Sequence, residues 1–115
     1  MPNLQLYLNE FREHLEEFYA SLHLAPPYHS IEKALTTFAS GYHSKTRKEQ
    51  DQAHGDETLK QQWYHKAFVE SGLHKKHRGI ITGLLNGPTP PTVAKEYQYL
   101  LQPFVRNINP NSSLK

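Results

Sequence analysis

The chain of 115 residues contains no cysteine. That excludes disulfides, thiolate zinc centres, iron–sulfur clusters and thiol nucleophiles. Val and Ile together number only seven against 14 Leu, which starves β-strands of their preferred residues and suits helices. No stretch approaches the ~20 consecutive apolar residues of a membrane span. Met1-Pro2-Asn3, followed by a charged amphipathic run, has neither the basic start nor the apolar block of a signal peptide. A cytoplasmic protein without membrane contact is expected. Hydrophobic residues make up only 37% of the chain, yet 13 of its residues are aromatic. That is enough to build one modest core in one domain.

Helical periodicity is the strongest positive signal. Leu4, Leu8, Phe11, Leu15, Phe18 and Leu22 alternate steps of four and three, which aligns them in one stripe of a helix over residues 3–24. Pro26 and Pro27 stop it. Ser30 reads as the N-cap of a second helix that buries Ile31, Ala34, Leu35 and Phe38 and ends near Gly41. Residues 43–57 hold no large apolar side chain and read as a polar loop or an exposed helical extension. Asp56 caps a third helix, with Leu59, Trp63, Ala67 and Glu70 along one face and Ser71-Gly72 at its end.

A fourth helix over residues 73–86 is expected to turn Leu73, His77, Ile80, Ile81, Leu84 and Leu85 inward. Gly79, Gly83 and Gly87 recur at intervals of four, a pattern that suits close approach of another backbone. After the proline-stiffened connector over residues 87–91, Thr92 opens a fifth helix with Val93, Tyr97, Leu100, Phe104 and Ile108 on one face, kinked or divided at Pro103. The expected fold is all-α: a single compact bundle of about five helices over residues 1–108, with a polar loop between the second and third and a polar tail over 109–115.

The sign of charge changes along the chain. Residues 1–40 carry a balance of −3 and residues 41–115 a balance of +5. Lys45, Arg47 and Lys48 form one basic cluster, and Lys75, Lys76 and Arg78 a second. Tyr42 and Trp63 lie near these bases in sequence. Cations neutralise phosphates while aromatic rings stack on unpaired bases, so this interleaving points to RNA or DNA bound without sequence-specific readout. A helix-turn-helix does not fit, because the connector over 87–91 is too long and too stiff.

The first-helix stripe of Leu4, Leu8, Phe11, Leu15 and Phe18 either serves the chain's own core or offers a seam to a protein partner or a second copy. On the same helix, His14 with Glu10, Glu13 and Glu17 reads as a charged outer face. His74 and His77, with Glu70 a turn earlier, have ligand-like spacing, but Lys75, Lys76 and Arg78 oppose a cation. No metal and no other cofactor is expected. Phosphate-loop and nucleophile-elbow patterns do not occur.

Arg47 and His54 have six residues between them, with Gly55 following. This spacing resembles the Arg-x(4–6)-His signature of the HEPN-family helical ribonucleases. The resemblance implies an all-helical ribonuclease in which Arg47 and His54 act on the scissile phosphate. Three functions are therefore expected in order: a non-enzymatic helical module on the nucleic-acid backbone; a protein–protein adaptor or regulatory subunit using the first helix; and a small HEPN-like ribonuclease.

Overall fold

The apolar stripe at the start of the chain forms a helix, α1 (Pro2–Ser21), and its end is set by backbone geometry. His23 takes φ 61°. The Leu24 amide reaches the Tyr19 carbonyl at 3.0 Å and the His23 amide reaches Ala20 at 2.9 Å. This is a Schellman stop with histidine in the left-handed position that usually holds glycine. A computed structural model describes residues 2–105, so Ile108 and the tail over 109–115 lie outside the described residues.

Five further α-helices follow: α2 (Tyr28–His43), α3 (Arg47–His54), α4 (Glu57–Ser71), α5 (Leu73–Lys76) and α6 (Arg78–Leu85). A 3-10 helix (Lys95–Leu101) closes the described chain, which contains no strand. The all-α expectation holds, with seven helical elements in place of about five.

The aromatic core explains the arrangement. Phe11 stacks on Tyr64 at 4.8 Å, and Phe38 packs against both, at 5.7 and 5.1 Å. Farther along, Phe18 meets Phe68 and Phe104. Helices α1, α2 and α4 thus share one core, and the 3-10 segment is laid over α1 and α4. Tyr42, at the end of α2, meets Trp63 in the middle of α4, while α5, past the far end of α4, returns to α2. Helices α2 and α4 are therefore antiparallel.

Several expectations are corrected. Residues 47–54 are a helix: Thr46 accepts from the Glu49 amide and Glu49 accepts from the Thr46 amide, a reciprocal capping box. Helix α2 begins before Ser30, which is itself buried. Helix α4 starts at its Asp56 cap and stops at left-handed Gly72, as read from sequence, but its buried face is Lys60, Tyr64, Ala67 and Phe68. Leu59 and Trp63 are only partly covered and Glu70 is exposed. On this rotated face Lys60 is buried while its ammonium meets the carboxylates of Glu10, partly exposed, and Glu57, largely exposed.

The expected fourth helix is broken at His77, whose ring packs on Tyr19 and whose Nδ1 lies 3.2 Å from the Tyr19 hydroxyl. Ile80 points outward at 55% exposure. A Cβ added at Gly79 or Gly83 would meet nothing within 4 Å, so those glycines admit no neighbouring backbone. The expected fifth helix is the 3-10 segment, with Val93 ahead of it and Phe104 beyond it, both buried.

Candidate nucleic-acid interface

Helix α2 delivers Tyr42 in its last turn and α4 delivers Trp63, whose rings meet edge to face at 6.3 Å. Tyr42 is buried in the core, so it offers no face to an unpaired base and only the partly covered Trp63 could stack on one. Lys45, in the short turn before α3, lays its ammonium over the indole at 5.0 Å from the ring centre. A cation over an exposed indole contributes about 0.5–1 kcal/mol. These three residues border a cleft of about 170 Å³ between α2 and α4, and Lys66 and Glu70 also line it, as a loose pair 3.9 Å apart. The capping box fixes the start of α3, so Arg47 and Lys48 stand exposed directly beyond Lys45.

The second cluster is placed differently. Lys75 and Lys76 lie on α5 and Arg78 opens α6, all exposed and all past the C-terminal end of α4. Helix α4 has 15 residues, or about 22 Å at 1.5 Å per residue. The clusters therefore lie toward different ends of the α2/α4 pair, but Lys45 reaches back over Trp63 in the middle of α4, so less than the helix's full length separates them, with Lys66 between. Lys33, one turn before the cleft residue Thr37, is a further exposed base on α2. Among the described residues, none of Lys45, Arg47, Lys48, Lys75, Lys76 and Arg78 takes part in an ion pair; the pairs use Arg12, Lys60 and Lys66.

The other charged constellation is internal, and the outer-face reading of His14 missed it. His14 is buried, with Nδ1 2.8 Å from the Tyr99 hydroxyl and its ring against Tyr64 and Tyr97. Lys60, also buried, binds Glu10 at 2.8 Å and Glu57 at 3.2 Å. The Tyr64 hydroxyl donates to the same Glu10 carboxylate at 2.6 Å. Burial pushes the Glu10 carboxyl up, but hydrogen bonds from Lys60 and Tyr64 outweigh it and hold it below the ordinary carboxylate range. Burial holds His14 below the usual imidazole range, against the pull of Glu10, Glu57 and Glu13. Tyr64 and Tyr99 are pushed far up by burial, with Glu10 adding to it. This network ties α1 to α4 and to the 3-10 segment. A signal was present in the sequence: Tyr7, Phe11, His14 and Phe18 also follow helical spacing, and Lys60, Tyr64 and Phe68 recur every four.

The remaining sequence candidates separate. Phe11, Leu15 and Phe18 are fully buried within the chain, so they offer no seam to a partner; only Leu4 and Leu8 retain partial exposure. Arg47 and His54 begin and end α3, about 10 Å apart along its axis. His54 lies with Nδ1 3.4 Å from the Tyr7 hydroxyl. His74 is buried against Phe68 and Phe104, whereas His77 faces Tyr19, so the two histidines do not share a ligand position. Among the described residues no group of three or more His, Asp or Glu side chains could hold a metal ion, and no helix is long and apolar enough to cross a membrane. Compared with known proteins, the chain matches no family model, no curated protein and no solved structure.

Proposed function

We propose that the protein is a non-enzymatic helical module that binds the phosphate backbone of nucleic acid along the α2/α4 face, without reading sequence. One observation carries this reading. Six exposed or half-exposed cations, in two clusters toward different ends of one helix pair, form no ion pair among the described residues. Charges used for folding are paired, as Lys60 is. Charges left in solution are available to an external anion, and phosphate contacts from Lys and Arg position a protein without specifying sequence.

The test is a titration with generic oligonucleotides over a series of salt concentrations. If all six cations each neutralise a phosphate of a single strand, log K falls with log salt at a slope of about −4. A slope near −2 marks engagement of one cluster alone. Binding indifferent to salt, or none at low salt, overturns the reading.

A further inference from the structure

We propose that the cleft between α2 and α4 receives one unpaired base of a single-stranded nucleic acid, and that Lys45 stands over Trp63 as a placeholder which the base displaces. The inference rests on the backbone-binding reading above and adds the substrate class, single strand over duplex.

The walls suit a flat ring. Trp63, half-buried, supplies the aromatic face, and the buried Tyr42 and Phe38 line the cleft beside it. Gly41 leaves the α2 wall open, since a Cβ built there would meet nothing within 4 Å. At the rim the Thr37 and Ser44 hydroxyls donate to carbonyls of their own helix, Lys33 and Gly41. Their oxygens keep acceptor capacity, and both residues line the cleft, as does Glu70. The N–H edges of an unpaired base meet such acceptors, whereas in a duplex those edges are paired and the ring faces are stacked. A base inside a helix reaches a cleft between two α-helices only by leaving its stack, which costs energy that a single strand does not spend.

The position of Lys45 decides the exchange. A lysine over an exposed indole is held more weakly than a nucleobase stacked on the same ring. Replacing one by the other is favourable, and the released ammonium is delivered beside the phosphate that carries the base. Arg47 and Lys48 flank that phosphate from the start of α3.

Trp63 is the only tryptophan of the chain, so its fluorescence reports the cleft directly. The unmodified protein is titrated at low salt with a short oligothymidylate, with an abasic strand of equal length and charge, and with a duplex. We expect quenching by the oligothymidylate alone, and roughly tenfold tighter binding of it than of the abasic strand. Gly41→Leu fills the cleft without altering charge; it abolishes the quenching and the tenfold preference and leaves abasic binding unchanged. Equal affinity for the abasic strand without quenching, or equal quenching by the duplex, overturns the cleft assignment and leaves backbone binding standing. Failure of all three polyanions to bind overturns both.

Discussion

Lys60 and the cluster of Lys45, Arg47 and Lys48 bring the same charge into opposite circumstances. Lys60 is buried in α4, bonded to Glu10 on α1 and Glu57 on its own helix. Among the described residues the cluster at the α2–α3 turn forms no ion pair, and Lys45 lies over an indole. Taking an ammonium out of water is costly unless its partners compensate, so the buried lysine belongs to the fold. The exposed cations cost the fold little and add little to it. One set of cations holds the fold together and the other is left in water, although the two are linked through the Tyr7, Tyr42 and Trp63 rings.

The sharpest way to break the comparison is to truncate Lys60. Lys60→Ala strands a partly buried carboxylate at Glu10. We expect a loss of about 2 kcal/mol in urea unfolding, below the 3–5 kcal/mol of a fully buried pair because Glu10 keeps partial access to water. Adding Glu10→Gln should restore more than half of it. If Lys60→Ala is neutral, the internal network does not hold α1 to α4.

The pH response tests the buried half of the comparison next. His14, His65 and His74 are held below the ordinary imidazole range, by burial above all. Unfolded imidazoles take up protons below about pH 6.5 while the folded ones stay neutral to lower pH. The unfolded state then binds more protons, and stability falls as the solution is acidified from about pH 7 to about pH 5. His14→Gln should make that decline shallower. Below it, loss of the depressed Glu10 carboxylate adds a second fall as pH drops through its folded pKa. A stability flat over this range contradicts the buried-histidine half of the comparison.

A third change acts on the backbone and leaves charge alone. His23→Gly relieves the left-handed strain at the end of α1, with an expected gain of about 0.5–1 kcal/mol in thermal or urea unfolding. The smallest stability effect belongs to the exposed cluster. Arg47→Ala with Lys48→Ala should change stability by no more than about 0.5 kcal/mol while reducing the salt slope of oligonucleotide binding by about 1.4, at about 0.7 for each phosphate contact of a single strand.

The sequence made some of this legible through local chemistry alone. Asp56 and Gly72 bounded α4 because an N-cap acceptor and a left-handed stop act within one turn. The stripe of α1 was readable for the same reason: it needed no knowledge of its neighbours. Helix α3 was left between a polar loop and an exposed helical extension for lack of apolar residues, although Thr46-x-x-Glu49 carries a capping box in plain view. Lys60 and His14 could not be placed inside from their own helices, because what admits them there comes from other elements: Glu10 from α1 in one case, Tyr64 and Tyr99 from α4 and the 3-10 segment in the other. The break at His77 likewise accompanies a contact with Tyr19, 58 residues away in the chain. At the candidate interface both basic clusters were visible as composition, but their placement toward different ends of α2 and α4 follows from the antiparallel packing.

Helix α3 has a consequence of its own. With Ala53 as its one buried residue, eight residues of polar chain owe their shape largely to Thr46 and Glu49, whose carboxyl is held low by the Thr46 amide and hydroxyl. A helix so short is marginal without such support. The spacing between the guanidinium of Arg47 and the ammonium of Lys48 is consequently governed by a hinge pin that neither of them touches, and a solution acidic enough to neutralise one glutamate would slacken their geometry while leaving both charges in place.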